Sequence, residues 1–342
     1  MSLEIQDYTP IFTITPEILN LTYEIAKDLA HFDSIKEKAL TPELRRENRI
    51  KAIHSSLWIE ANSLTLEQVT SIFEGKHVNG AEKDITEVKN AIVAYDELLQ
   101  CDPYSEKDLL RQHGLLMKGL VDDAGKYRSA GIGVFSGDVP IHVAPPHQRV
   151  SFLMSDLLKW TQKTQLPQIV KSCIFHYEFE FIHPFSDGNG RMGRMWQTLL
   201  LYQEHVAFAW LPVESIIARN QQEYYQALRR STHHNDSGIF TLFMLSVIKQ
   251  STKEFREKRD IDYAGVNAGV NAGVKISKTQ EKIFALIKKN NTISQSEISR
   301  KLKINISTVY RNIEALKQLN MIERHGSDKA GIWKILRGDL IH

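Results

Sequence analysis

The chain has 342 residues, of which 42% are hydrophobic and 25% are charged, a composition typical of folded domains with apolar cores. It contains two cysteines, Cys101 and Cys173, which excludes a disulfide framework. No apolar run approaches the length of a membrane span and no signal peptide opens the sequence, so we expect a cytoplasmic protein without a membrane partner.

Helical patterns dominate the first hundred residues. One predicted helix begins at Thr41 and Pro42, an N-cap residue followed by an N1 proline. It places Glu60 in its last turn, where a carboxylate opposes the helix dipole, so Glu60 is expected to have a cationic partner. Its apolar stripe consists of Ile50, Ile53 and Leu57. The other predicted helices, over residues 15–38, 65–74 and 84–100, are expected to be scaffold.

The most informative segment, residues 183–194, reads His-Pro-Phe-Ser-Asp-Gly-Asn-Gly-Arg-Met-Gly-Arg. The residues before it, 174–182, and after it, 192–204, have the apolar spacing of helices. The segment is therefore predicted to be a loop that joins two helices.

The residue types in this segment are those of a nucleoside triphosphate site. Gly188 and Gly190 let successive N–H groups converge on a phosphate at the start of a helix. Arg191 and Arg194 lie three residues apart, so both can donate hydrogen bonds to a polyphosphate.

Two further side chains suit the chemistry of nucleotide transfer. Asp187 is a hard oxygen ligand of the kind that Mg²⁺ prefers, and His183 can take the proton of an incoming hydroxyl. Phe185 is expected to hold the loop in the core. The alternative, a glycine-rich loop beside a structural histidine, is disfavoured because nine of the twelve positions are constrained.

The segment resembles the signature of the Fic family, HPFxDGNGRxxR, at every fixed position. The likeness extends over residues 40–250 and includes Gly-Lys-Tyr-Arg at 125–128. It implies a mainly α fold, a Fic-type helical domain with a β-hairpin flap, that transfers AMP from ATP to a hydroxyl side chain of a target protein and releases pyrophosphate. By this resemblance His183 is the general base, Asp187 binds Mg²⁺, Gly188, Asn189 and Gly190 form the anion hole, and Arg191 and Arg194 bind the phosphates.

Residues 56–61 resemble the inhibitory helix of regulated Fic proteins, whose pattern is Ser or Thr, three residues, Glu, then Gly or Asn. The resemblance implies that Glu60 pairs with Arg194 and blocks the γ-phosphate. Ala61 departs from the pattern, and Asn62 is expected to be the left-handed residue that ends the helix. The alternative is an ordinary solvated glutamate at a helix end.

Two other regions are interpreted through the same resemblance. Residues 131–143 are predicted to form a β-hairpin that turns at 136–138, the flap that clamps the target protein by strand addition. Tyr224 and Tyr225 match a position where the family packs an aromatic residue near the nucleobase, although a tyrosine pair on a helix is as often core.

The C-terminal part differs in charge from the rest of the chain. Residues 264–274 repeat Ala-Gly-Val-Asn and are predicted to be a linker. Residues 275–342 contain fourteen Lys and Arg against six Asp and Glu, so they carry +8, and the remainder of the +2 chain carries −6.

Three helices and two strands are predicted beyond the linker, an order that resembles a small winged helix-turn-helix domain. The helices cover residues 279–289, 294–301 and a stretch that ends near Gln318, and the strands cover 321–324 and 332–336. The alternative is a protein-interaction module with a solvated basic face. The residues predicted to reach the major groove are Ser307, Thr308, Tyr310, Arg311 and Asn312, with Lys329 at the wing.

The predicted organisation is a helical region (1–100), a Fic catalytic domain (101–258), a linker (259–275) and a winged helix domain (276–342). The predicted function is a protein adenylyltransferase inhibited by its own Glu60, with ATP and Mg²⁺, a target protein on the flap and duplex DNA on residues 276–342. Two alternatives stay open: removal of AMP from a modified protein, and a DNA-binding regulator that senses nucleotide without turnover. The sequence also leaves open whether the chain forms a homodimer.

Overall fold

The computed structural model describes residues 8–34, 42–136, 139–271, 277–318, 321–325 and 332–336. Within these ranges the protein is mainly helical, as predicted, and its strands form two antiparallel pairs. The elements are α1 (Pro16–Ser34), α2 (Pro42–Ile59), α3 (Leu66–Phe73), α4 (Glu82–Leu98), α5 (Glu106–Leu116), β1 (Gly133–Ser136), β2 (Val139–Val143), α6 (Val150–Lys163), α7 (Gln168–Ile182), α8 (Asn189–Tyr202), α9 (Val213–Arg219), α10 (Gln221–His234), α11 (Gly238–Asn271), α12 (Lys278–Lys289), α13 (Gln295–Leu302), α14 (Ile306–Gln318), β3 (Ile322–His325) and β4 (Ile332–Ile335).

The chain divides into two compact units, Met1–Glu257 and Lys258–His342. Each unit has its own hydrophobic core. Among the described residues, none of the helices combines the length and the apolar character that crossing a bilayer requires.

Helix α7 is the centre of the first unit. All of its residues from Ile169 to Glu180 are buried. Phe175 and Phe179 belong to a cluster shared with α2 to α6 and α8, whereas Ile174 and Tyr177 belong to a second cluster shared with α1 and α9 to α11. A helix that is covered on every side is held by packing rather than by propensity. It provides a fixed base for the residues at its C-terminal end.

The N-terminal helices share these cores. The stripe of α2 is confirmed, because Ile50, Ile53 and Leu57 are all buried in the first cluster. Helix α1 contributes Ile18 and Ile25 to the second cluster. The helical region predicted over residues 1–100 is therefore packed into one unit with the residues that follow it.

The predicted hairpin is confirmed as β1 and β2, which pair antiparallel from Gly133 opposite Val143 to Ser136 opposite Val139. The register shifts between Val134 and Phe135, which marks a bulge. The tip, residues 137–138, lies outside the described residues.

The second unit has the predicted winged-helix order, α12, α13, α14, β3 and β4. Ser294 caps α13 with the expected reciprocal bonds to Glu297. Strands β3 and β4 pair antiparallel, with Arg324 opposite Trp333, and Trp333 is buried among residues of all three helices. The wing tip at 326–331, with Lys329, lies outside the described residues.

Helix α11 continues through Asn271, into the segment predicted to be a linker. A helix that is already nucleated adds residues at little cost, so a repeat with one glycine in four can extend it although it buries little surface. Residues 272–276 lie outside the described residues.

A six-residue loop joins α7 to α8, and Asn189 closes it. The Asn189 side chain accepts a hydrogen bond from the Phe185 N–H and donates one to the Phe185 carbonyl, both at 2.9 Å. Phe185 is itself fully buried. The loop is therefore held in two ways, by hydrogen bonds to the Phe185 backbone and by burial of the Phe185 side chain.

We expect Asn189→Ala to destabilise the first unit by about 1–3 kcal/mol, because it leaves two buried backbone groups of Phe185 without partners. The measurement is urea unfolding. Ser186→Ala in the same loop is the matched control, since Ser186 is exposed and its hydroxyl donates to Asp123 at 2.6 Å. Equal unfolding midpoints for the two variants would contradict the role given to Asn189.

Candidate active site

The loop between α7 and α8 presents backbone donors at a helix start. His183 ends α7 in the left-handed conformation with φ of 50°, and Gly188 precedes α8 with φ of 84°. The N–H groups of Asn189, Gly190 and Arg191 lie before the first intrahelical bond, which Met192 donates. Donors in this position attract an anion such as a phosphate.

His113 packs against the loop between α7 and α8, a role that was not predicted from the sequence. Its ring stacks on Phe185 with centroids 3.6 Å apart and planes within 3° of parallel. Burial lowers the pKa of His113 to about 4, so the ring is neutral. Gly125 donates its N–H to Nδ1 at 2.9 Å, which leaves Nε2 to donate to the Asp187 carbonyl at 3.0 Å. These partners are distant in sequence, so no local pattern signals this role.

Arg128 fixes the C-terminal end of α7. Its guanidinium donates to the carbonyls of Ile182 at 3.3 Å and His183 at 2.8 Å, and also to those of Ala130 and Pro145. Arg128 is buried. It is the last residue of the Gly-Lys-Tyr-Arg segment at 125–128, which the sequence comparison with the family had picked out. Its contacts show that it binds the backbone at the start of the loop.

Asp187 is held at the rim of the loop. Its Oδ1 accepts from the Gly188 N–H at 2.6 Å and from Arg191 at 3.1 Å, while the side chain stays 49% exposed. Arg191 is buried and also pairs with Glu87 at 2.9 Å. Both partners of Arg191 are thus carboxylates of this chain, Asp187 in the loop and Glu87 on α4, and its predicted contact with phosphate stays a prediction.

A Mg²⁺ ion that arrives with a nucleotide needs only one or two carboxylates beside the phosphate oxygens. The exposed Asp187 next to the backbone donors fits that requirement. The described residues contain no group of three or more His, Cys, Asp or Glu side chains that could hold a metal by themselves.

Arg194 is buried and contacts the end of α2. It donates to the Ser56 hydroxyl at 3.1 Å, to the Ser56 carbonyl at 2.9 Å and to Glu60 Oε1 at 2.8 Å. The Arg194 side chain is 1% exposed and the Glu60 side chain 31%. Burial lowers the pKa of Arg194, but Glu60, Tyr224 and Tyr225 together outweigh this effect and raise the pKa above its usual value. The guanidinium thus satisfies both the carboxylate and a free carbonyl at the negative end of the helix dipole.

The end of α2 differs from the expectation in one residue. Ala61, with φ of 65°, is the left-handed residue, and the prediction that Asn62 takes that conformation is wrong. Asn62 is buried instead, where it donates to Glu87 at 2.8 Å and to the Asp84 carbonyl and accepts from the Leu64 N–H. These three bonds fix Asn62 one position beyond the turn, so Ala61 carries the backbone strain.

The two tyrosines of α10 have different environments. Tyr224 is buried and its hydroxyl lies 3.1 Å from His176 Nε2, so it is a core residue. Tyr225 is half-buried, and burial followed by the charge of Glu60 raises its pKa to about 12. Both tyrosines lie within electrostatic range of Arg194. The structure thus brings α10 to the Glu60 side of the site.

Comparison with known proteins identifies both parts of the chain. Residues 103–201 match the Fic/DOC family and residues 276–323 match the winged helix-turn-helix DNA-binding family. Protein adenylyltransferase fic-1 of Caenorhabditis briggsae is 26% identical over 70% of this chain and 46% of its own length. Protein adenylyltransferase Fic of Culex quinquefasciatus is 31% identical over 54% of this chain and 37% of its own length. The chain thus spans less than half the length of these relatives.

Solved structures support the same assignment. A Fic family protein from Desulfovibrio desulfuricans G20 is 39% identical, covers 96% of this chain and 98% of its own, and has a TM-score of 0.73. Fic-1 (residues 134–508) from Caenorhabditis elegans shares the fold at 21% identity, with a TM-score of 0.61 over 72% of this chain and 73% of its own. With its signature loop between two buried helices and a full-length structural relative, this chain belongs to the Fic family.

Proposed function

We propose that the protein transfers AMP from ATP to a hydroxyl group of a target protein and that Glu60 inhibits this reaction. The observation that supports this proposal best is the ion pair between Glu60 and Arg194 directly beside the anion-binding start of α8. The names of the relatives supply the reaction type.

The proposed reaction uses the loop residues in separate roles. His183 Nδ1 lies 3.3 Å from the Glu180 carbonyl, which assigns the ring proton to Nδ1 and the basic lone pair to Nε2. His183 takes the proton of the target hydroxyl as its oxygen attacks the α-phosphorus of ATP. The bond between the α-phosphorus and the oxygen that bridges the α- and β-phosphates breaks, and pyrophosphate leaves. The N–H groups of Asn189, Gly190 and Arg191, which lie before the first intrahelical bond of α8, stabilise the charge on the α-phosphate.

Asp187 would hold Mg²⁺, which neutralises charge on the phosphates when it is bound. Arg191 orients Asp187 through the 3.1 Å bond between them. The target segment would add to the hairpin over residues 131–143 as a further strand, because both strands of a two-stranded sheet are edge strands. Tyr225, the half-buried tyrosine, is the better candidate of the pair for contact with the nucleotide.

Inhibition follows from the contacts of Arg194. While Glu60 is bonded to the Arg194 guanidinium, its carboxylate would repel the γ-phosphate and the cation would be unavailable to bind it. In the alternative reaction, removal of AMP from a modified protein, the same carboxylate would orient the attacking water. Its 31% exposed side chain is compatible with either role.

We expect Glu60→Gly to raise ATP affinity by about ten- to a hundredfold, since it frees Arg194 for a charge-assisted bond worth about 1.5–3 kcal/mol. ADP affinity should change less because ADP lacks the γ-phosphate. The measurements are calorimetric binding of both nucleotides and transfer of α-labelled AMP to protein in a host lysate. In a protein that carries Arg194→Ala, removal of Glu60 should have no further effect.

Ala61→Gly is the matched control, because it adds the same residue one position later and keeps Glu60. It relieves a positive φ that costs about 1–2 kcal/mol. The greater freedom of Gly in the unfolded chain offsets about 0.4–1 kcal/mol of this, so the variant should be more stable by about 1 kcal/mol and should not raise transfer. Equal transfer by wild type, Glu60→Gly and Ala61→Gly would remove the inhibitory role of Glu60. A faster release of AMP from modified protein by wild type than by Glu60→Gly would favour the reverse reaction.

We expect His183→Ala in the Glu60→Gly protein to lower the transfer rate by about 10²–10⁴, the usual effect of losing a general base. Nucleotide affinity should stay within about threefold, because the ring contributes little to phosphate binding. Single-turnover rates and calorimetry separate the two quantities. Loss of ATP binding together with activity would show that His183 binds nucleotide rather than activating the hydroxyl.

We also propose that the second unit binds duplex DNA, on the basis of its family match and its +8 charge. In α14, Tyr310 and Arg311 are exposed whereas Val309 and Ile313 are buried, so one face packs in the core and the other is open. This arrangement fits a helix that enters the major groove. A regulator that senses nucleotide without turnover would bind DNA but transfer no AMP.

We expect Arg311→Ala in the full chain to weaken binding to duplex DNA by about tenfold, whereas the salt slope should decrease only slightly. Lys282→Ala on α12, another exposed cation of the same unit, is the matched control and should have less effect. Fluorescence anisotropy with mixed-sequence DNA at several salt concentrations provides the measurement. Absence of any salt-dependent binding would favour a protein-interaction module.

A further inference from the structure

Two glycines of α8 make room for two carboxyl groups. A Cβ on Gly190 would overlap Glu60 Oε1, and a Cβ on Gly193 would lie 2.5 Å from Glu180 Oε1. Gly190 and Gly193 are one turn apart on the helix and both adjoin the turn that carries Arg194. The second acid, Glu180, belongs to α7, and the reaction described above does not use its side chain.

Glu180 is buried without a hydrogen-bond partner on Oε1 among the described residues. The nearest candidate, His176 Nε2, is 3.8 Å away, which is too far for a hydrogen bond. His176 also has its nitrogens in use, because Nδ1 bonds to Gln197 at 2.6 Å and Nε2 to Tyr224 at 3.1 Å. Arg194 Nη1 is likewise buried and without a partner in the described structure.

The charged and titratable groups that face Glu180 come from four helices. They are His176 on α7, Glu60 at the end of α2, Arg194 on α8, and Tyr224 and Tyr225 on α10. Burial is the largest effect on the Glu180 carboxyl, and Glu60 acts in the same direction whereas Arg194 opposes it. Together they raise the pKa of Glu180 to about 8, so the group is mainly protonated at neutral pH.

A protonated carboxyl is a donor. The unpartnered Nη1 of Arg194, beside Gly190, is a second buried donor about one helical turn from the Glu180 carboxyl beside Gly193. When Glu60 moves away from Arg194, these two buried donors can bind a negatively charged acceptor in its place. The γ-phosphate is such an acceptor, because in the proposed function it takes the position of Glu60 on Arg194.

We propose that Glu180 is a specificity-determining residue that, in its protonated form, donates a hydrogen bond to the γ-phosphate alongside Arg194. This inference rests on the proposed function. Ionised Glu180 would instead place a carboxylate against the γ-phosphate and weaken ATP binding. Glu180 would thereby favour ATP over ADP only while it retains its proton.

The test measures ATP and ADP dissociation constants of the Glu60→Gly protein with saturating Mg²⁺ between about pH 7.5 and 9.5. If only the protonated form binds well, ATP affinity falls by about tenfold per pH unit above the pKa of Glu180. Loss of the Glu60 charge lowers that pKa, so the decline begins at or below about pH 8. ADP affinity should change little over the same range.

Glu180→Gln in the Glu60→Gly background keeps a donor that does not titrate, so its ATP affinity should be independent of pH. Glu178→Gln is the matched control, since Glu178 is a buried acid of the same helix that bonds to Tyr8 instead. It should retain the pH dependence. Thermal melts establish that each variant is folded.

A constant ratio of ATP to ADP affinity across this pH range in the Glu60→Gly protein overturns the inference, as does an unchanged pH dependence in Glu180→Gln. Transfer of AMP by the Glu60→Gly protein, measured in parallel, separates the two levels of the hypothesis. If AMP is transferred but ATP binding does not depend on pH, the role of Glu180 is rejected and the proposed function stands. Absence of both ATP binding and transfer rejects the proposed function and this inference with it.

Discussion

The buried guanidinium of Arg194 connects the end of α2, which carries the proposed inhibitory residue Glu60, to the start of α8. A buried cation needs a compensating anion, and Glu60 supplies it here, while Ser56 accepts two further bonds from the guanidinium. The position of α2 against α8 therefore depends on the same side chain that would bind the nucleotide. Any anion that replaces Glu60 must compensate this charge, and a γ-phosphate can do so.

The end of α2 is correspondingly strained at one residue. Ala61 has a positive φ, which costs about 1–2 kcal/mol for a residue with a side chain, while Asn62 beyond it is anchored by buried hydrogen bonds. The strained residue thus lies between the anchored Asn62 and Glu60, which pairs with Arg194. Any movement of Glu60 that let Ala61 leave this conformation would relieve the strain, whereas glycine at this position would leave the helix end unstrained.

Local patterns in the sequence predicted the fold and much of the candidate site. The signature at 183–194, the stripe of α2 and the Ser294 cap depend on neighbours within a few residues, so their spacing identifies them. The predicted loop is shorter than expected and covers residues 183–188, because α8 begins at Asn189. His113 and Glu180 were not predicted, because their environments come from helices far away in sequence. The end of α2 was placed one residue late, since the preference of Asn for left-handed backbone was overridden by the buried contacts of Asn62.

The two arginines of the signature differ in the property that matters for regulation. Arg191 and Arg194 each pair with a glutamate from another helix, but Glu87 is 6% exposed and Glu60 is 31% exposed. Opening the first pair would leave the buried carboxylate of Glu87 without its cation at 2.9 Å, which is strongly unfavourable. Opening the second pair returns Glu60 to water, so only Arg194 needs a new anion. The difference in burial makes Arg191 a constant support of Asp187 and leaves Arg194 as the arginine whose partner can be exchanged.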